Sequence, residues 1–434
     1  MAIVAPGSST TSSVSQTSTS YTVPLAIVTT LFFMWGFLTC LNDILVPHLK
    51  PIFDLNYTRI MLIQSAFFGA YFLFSIPSAK IIDWIGYQRS MVLGLLTMGL
   101  GAFLFVPAAS VPSYPLFLAA LIVLAAGITC LQVAANPYVT VLGKPETASS
   151  RLNLTQAFNS LGTFLAPFFG GLLILTAAPK TMEEIRALAP DALQAYRLHE
   201  AATVKTPYVG LGIALVLLAI AIGSFKLPKI PHAQHQIGEK VNDSIWRHPN
   251  LIFGAIAIFV YVGAEVSIGS FLVNYFSQPD IGGLTEKVAA SYVAFYWGGA
   301  MVGRFIGSGL LQKMKTGHLL GICAVCAAAL VTISMISSGH FAMWSIILVG
   351  FFNSIMFPSI FTLGVAELGP LTGDGSGIMI MAIVGGAIIP LAQGAVADSV
   401  GIHHAFFLPV ICYLYILFFA LSGSKPNSER QART

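Results

Sequence analysis

The chain has 434 residues, 56% of them hydrophobic and only 9% charged, with 21 Lys and Arg against 17 Asp and Glu for a net charge of +4. Soluble domains carry about 25% charged residues, so a globular enzyme clothed in water is excluded and most of this surface must meet lipid. A bilayer-crossing helix takes ~20 predominantly apolar residues, and the apolar content suffices for roughly a dozen of them.

Residues 1–20 are rich in Ser and Thr and lack Lys and Arg, so they read as a disordered tail with no basic start of a secretory signal. Twelve apolar runs follow, at 24–47, 60–78, 91–108, 116–142, 152–177, 207–225, 251–276, 288–311, 319–336, 341–363, 375–397 and 405–421. They are continuous and do not alternate, which excludes a β-barrel. The expectation is an all-α membrane protein with twelve transmembrane helices. Its parts are the tail 1–20, a half at 21–225, a loop at 226–250, a half at 251–421 and a tail at 422–434. The five cysteines fall inside spans and behave as small apolar residues; Cys323 and Cys326 form a CxxC without a second ligand pair, so no metal site is expected.

With the N-terminus in the cytoplasm, that side collects thirteen Lys and Arg and the other side seven, four of which lie in the connection 178–206. Both termini are therefore expected inside. The net charge is a topology signal and carries no inference about nucleic acid.

The halves repeat. Pro137 and Gly143 in PYVTVLG match Pro358 and Gly364 in PSIFTLG at an offset of 221, and Pro167 matches Pro390 at 223. A parallel repeat of six-helix halves is the signature of the major facilitator architecture, with its substrate site between the halves near the midplane. After span 2, Ala79 to Arg89 resembles that superfamily's GxxxD(R/K)xG(R/K)(R/K) loop. Asp83 and Gly86 are kept, Ala79 and Trp84 depart from it, and Asp83, Gly86 and Arg89 are expected to act as a conformational latch.

Fifteen of the seventeen acids lie in loops or near span ends; Asp43 and Glu265 lie well inside spans 1 and 7, 222 residues apart. An ionised side chain there costs at least ~2.5–3.5 kcal/mol, so both should face a cavity. A carboxyl that can lose its charge suits cation coupling, by a proton or, near Asp43, by Na⁺. Polar uncharged residues share these helices: Asn42, Gln64, Gln132, Asn136, Gln156, Asn159, Asn353 and Gln393. Amides donate and accept without net charge, which fits a ligand covered in hydroxyls, and Tyr261, Tyr296 and Trp297 offer flat faces for a sugar ring. Arg304 is the one basic residue placed within a span, so anionic substrates are disfavoured.

The motifs LNDILVPHL, IQSAFFGAYF, LQVAANPYVTVLG, RLNLTQAFNSLG, YVGAE and FPSIFTLG resemble the fucose/galactose/glucose:proton symporter family over about 21–421. The resemblance implies a monomeric inner-membrane transporter that imports a monosaccharide with a cation by alternating access. It implies that Asp43 is the protonatable acid and that Asn159 stands at the sugar site. The family's fucose carriers have Glu where this chain has Gln132, and an amide where it has Glu265, so the glucose/galactose branch is favoured. Fucose, mannose and N-acetylglucosamine remain alternatives, as does sodium coupling. A sugar sensor without transport is disfavoured by the short loops. An enzyme is not expected, since His199 to Thr203 is not HExxH and Gly373 to Gly377 is neither GxSxG nor GxGxxG; no cofactor is expected either.

Overall fold

The computed structural model describes residues 21–53, 57–111, 113–173, 187–230 and 243–426; for 41–53, 57–62, 64–65, 168–173, 197 and 199–204 it describes the backbone alone. The tail 1–20, much of the central loop and part of the 178–206 connection lie outside the described residues.

Among the described residues the secondary structure is entirely helical. In chain order the main helices are α1 (Thr22–Phe53), α2 (Tyr57–Ile85), α3 (Tyr87–Ser110), α4 (Tyr114–Val141), α5 (Ala148–Leu173) and α6 (Pro190–Ser224). Then come α7 (Pro249–Phe276), α8 (Glu286–Leu310), α9 (Thr316–Ile336), α10 (Gly339–Asn353), α11 (Met356–Gly364), α12 (Thr372–Met381), α13 (Gly385–Val400) and α14 (Phe407–Phe418). Among the described residues ten stretches are long and apolar enough to cross a membrane. Helices α5 and α8, of 26 and 25 residues, are long enough but stand outside that set. They carry Gln156, Asn159 and Arg304, and the polarity that weakens their membrane signal equips the interior of the bundle.

Three spans carry detail that the apolar runs did not show. The span expected at 207–225 matches the apolar stretch Lys205–Ser224, while its helix α6 begins upstream at Pro190 and runs through Pro207; its first turns are built from Ala, Leu, Gln and Arg, good helix formers that hydropathy passes over. Span 10 breaks at Ser354–Ile355 into α10 and α11. Span 11 breaks at a 3₁₀ turn, Ala382–Val384. There Gly385 lies so close to α7 that a Cβ on it would sit 2.0 Å from the Phe259 carbonyl oxygen.

Lipid offers helices no hydrophobic reason to associate, so close backbone approach and dispersion must hold them together. Helices α3 and α4 cross with Gly127 against the Met98 amide, where a Cβ would stand 2.5 Å from the nitrogen. Phe105 of α3 stacks on Tyr208 of α6 with ring centroids 4.2 Å apart.

The chain's first and last described segments lie at one end of the bundle. Tyr21 packs near Gly143 after α4, Ser424 lies near Gly317 at the start of α9, and the Thr316 hydroxyl donates to Ser149 Oγ at 2.9 Å. At this terminal end the helices before residue 225 meet those after 249.

Candidate functional site

In the N-terminal helices the amides gather where α4 faces α2 and α5. Gln132 and Asn136, one turn apart on α4, share a face. Gln132 Nε2 donates to the Tyr71 hydroxyl at 2.7 Å, and Gln156 Nε2 donates to Asn136 Oδ1 at 3.3 Å. Asn136 Nδ2 is buried and has no partner among the described residues. Asn159 takes part in a helix crossing: its Nδ2 donates to the Phe32 carbonyl of α1 at 2.9 Å. Asn42 and Asp43 lie on α1 and Gln64 on α2, with side chains outside the described residues.

In the C-terminal helices the polar groups form one connected network. The Tyr261 hydroxyl donates to Glu265 Oε1 at 2.8 Å and also lies 3.1 Å from the Asn353 carbonyl. Asn353 Nδ2 donates to the Tyr296 hydroxyl at 2.9 Å, and Tyr413 donates to Asn353 Oδ1 at 2.8 Å. Tyr261, Tyr296, Tyr413 and Asn353 are fully buried, whereas Glu265 retains exposure. The Tyr261 and Tyr296 rings fill the space between helices, and their hydroxyls have inward partners. Trp297 is 45% exposed, with its indole edge against Gly269. Gln393 stands apart from the network, fully buried on α13 with neither amide atom partnered among the described residues.

The two prolines of the repeat shape the seam. A proline leaves the carbonyl four residues earlier without its helical donor. For Pro137 that carbonyl belongs to Val133, and the Ser376 hydroxyl of α12 takes it at 2.8 Å from the other set of helices. For Pro358 it belongs to Ser354, and Arg304 Nε of α8 takes it at 3.2 Å. Arg304 Nη1 also donates to the Ser160 hydroxyl of α5, and its backbone carbonyl accepts from Asn153 Nδ2 at 2.7 Å. The 221-residue offset between the two prolines is the sequence signal of this pair of freed carbonyls.

More contacts join the two sets of helices at the terminal end. Ser149 Oγ and Thr362 Oγ1 are 2.6 Å apart, and the Ser150 hydroxyl donates to the Ser308 carbonyl at 2.7 Å. Lys80 Nζ donates to Asp374 Oδ1 at 2.7 Å and lies 3.7 Å from Asp83 Oδ2. In the expected latch, Gly86 makes the turn into α3 with φ 83°, Asp83 supports Lys80, and Arg89 is exposed. The ionic tie across the seam is made by Lys80, which lies outside the expected Asp83, Gly86 and Arg89 set.

A family model described as Major Facilitator Superfamily matches residues 25–383. A glucose/galactose transporter of Brucella abortus is 54% identical over 406 residues, covering 94% of this chain and 95% of that protein. The L-fucose-proton symporter of Escherichia coli is 36% identical over 410 residues, covering 93% of each. The crystal structure of FucP in the outward conformation superposes with a TM-score of 0.86 at 35% identity, covering 93% of this chain and 99% of that one. The protein is a multi-pass protein of the bacterial inner membrane. By the family model, its relatives and its all-helical fold, the chain belongs to the Major Facilitator Superfamily, in the fucose/galactose/glucose:proton symporter group that its motifs resemble.

Proposed function

We propose that this protein is a secondary active transporter that imports a neutral hexose of the glucose or galactose type in symport with protons by alternating access. The observation that carries the reading is a polar grouping in each set of helices. Amides of α4 and α5 bond to one another in the first set, and the second holds the carboxyl of Glu265 on the Tyr261 hydroxyl. Amides and a carboxylate together match the donors and acceptors of sugar hydroxyls, and a buried acid can be neutralised by a proton. The names of the relatives, a glucose/galactose transporter and an L-fucose-proton symporter, support both the sugar and the ion.

In this reading α5 and α8 also cross the bilayer, giving twelve spans in two halves, 21–225 and 251–421, with both termini cytoplasmic. The seam at the terminal end is then a closed cytoplasmic gate, and the state is outward-facing. Sugar and proton enter from outside. Neutralising Asp43 on α1 removes a charge that would otherwise be trapped, and the halves rock to open the gate. The chain works as a monomer, with no cofactor besides the coupling ion.

The test is uptake of labelled glucose, galactose and L-fucose into proteoliposomes under an imposed pH or Na⁺ gradient. Accumulation driven by inward-directed protons and abolished by a protonophore is expected. Accumulation driven by Na⁺ alone would replace the proton by sodium, and a preference for fucose would replace the substrate.

A further inference from the structure

We propose that Arg304 is a positioning residue of the transport cycle, the cation that ties closure of the terminal-end seam to the Glu265 side of the substrate site. The inference rests on the reading of Glu265 given above. Arg304 lies where three helical segments converge. Its Nη1 holds Ser160 of α5, its Nε holds the Ser354 carbonyl freed by Pro358, and its backbone accepts from Asn153 of α5. The helices are drawn close around it: a Cβ on Gly303 would sit 2.6 Å from the Phe351 carbonyl oxygen, and Phe158 meets Phe305 edge-on at 5.6 Å.

A guanidinium inside a membrane protein needs partners. In this closed state those partners are a neutral hydroxyl and a backbone carbonyl, and among the described residues Arg304 forms no ion pair. The neighbouring carbonyl, that of Asn353, is taken by the Tyr261 hydroxyl, which also donates to Glu265, so Arg304 and Glu265 are tied to adjacent residues of the α10–α11 break. The contacts divide by half. Ser160 and Asn153 belong to α5 and leave with it when the seam opens, whereas Ser354 and Glu265 stay with Arg304. Opening therefore removes the cross-seam acceptor and leaves the guanidinium to the Ser354 carbonyl, beside the Asn353 carbonyl that Tyr261 shares with Glu265; closing restores Ser160. Ser160 lies next to Asn159, whose bond to α1 ties this gate element to the helix that carries Asp43.

The experiment uses full-length protein with its five native cysteines replaced by Ala and one reporter cysteine at Thr362, buried in the closed seam. Maleimide labelling without sugar reports opening, and galactose equilibrium exchange in proteoliposomes reports turnover and affinity separately. Ser160→Ala should raise the labelling rate about tenfold, the size expected for one lost hydrogen bond to a charged donor. Arg304→Gln should raise labelling similarly and lower the maximal exchange rate about tenfold with KM moved less than about threefold, and Arg304→Lys should recover much of both. Labelling at the parent rate in both Ser160→Ala and Arg304→Gln would overturn the proposal. So would loss of rate and affinity together without a change in labelling, which would make Arg304 structural only. If Arg304→Gln does not fold, Ser160→Ala decides by itself. A parent protein that exchanges no hexose would refute the proposed function, while the sugar-free labelling would still judge the seam.

Discussion

Glu265 rests one carboxyl oxygen on the Tyr261 hydroxyl, so its charge and its shape can be separated by substitution. Glu265→Gln keeps an acceptor for Tyr261 and nearly the same volume while removing the charge. If the carboxylate receives sugar hydroxyls, calorimetry should show hexose affinity falling about tenfold, since hydrogen bonds to charged groups contribute ~1.5–3 kcal/mol; unchanged affinity would leave Glu265 a helix-packing group. Asp43→Asn belongs to the same scale and should abolish proton-driven accumulation while sparing exchange, and full pH-dependent accumulation by that variant would remove Asp43 from the coupling role. Asn353 is the hub of the network, donating to Tyr296 and accepting from Tyr413. Asn353→Ala leaves two buried hydroxyls short of partners and should cost about 1–3 kcal/mol in detergent-solubilised thermal unfolding. A buried amide at position 353 was legible as a polar residue in an apolar run. Tyr413 was not, because its phenol lies in an unbroken apolar segment and becomes polar chemistry only when α14 folds against α10.

At the scale of elements, apolar length alone located most of the long helices, because in lipid every backbone group must be satisfied within its own segment. Hydropathy could not show where helices break or where they continue into water. The break between α10 and α11 is set by Pro358 and by side chains from α7 and α8 that take the carbonyls at Asn353 and Ser354. The continuation of α6 upstream of Pro207 is set by helix propensity in residues too polar to register as a span. Close crossings are set by glycines whose role shows only in three dimensions. Two of them make a controlled comparison. Gly385→Ala would push a methyl into the Phe259 carbonyl of α7, whereas nothing lies within 4 Å of a Cβ on Gly298 in α8. The first should destabilise the folded protein by about 1–3 kcal/mol and lower its yield as a monodisperse species. The second should leave both unchanged; equal losses would mean that the α7–α13 crossing is loose.

For the whole molecule, the seam combines neutral and charged contacts that answer differently to solvent. The Ser149, Thr362 and Thr316 hydroxyls and the Ser376 to Val133 bond are buried or nearly so and carry no net charge, so salt should hardly weaken them. The Lys80–Asp374 pair is different: its side chains are 50% and 26% exposed, and Asp83 lies beside the lysine. An exposed pair contributes only ~0.2–1 kcal/mol, which on a two-state gate is at most about a fivefold shift between closed and open populations. Lys80→Gln and Asp374→Asn should each raise labelling of the Thr362→Cys reporter by up to about fivefold at low salt, and by less at 1 M salt, where the screening length is ~3 Å. The double variant should label no faster than the single ones, because both remove the same bond, and a sum of the two effects would show that each residue acts through a different neighbour. In the proposed transport cycle, a seam held mostly by hydroxyls and proline-freed carbonyls, with one weak ion pair at its rim, would keep the closed state shallow enough for the binding of a sugar and a proton to reverse it.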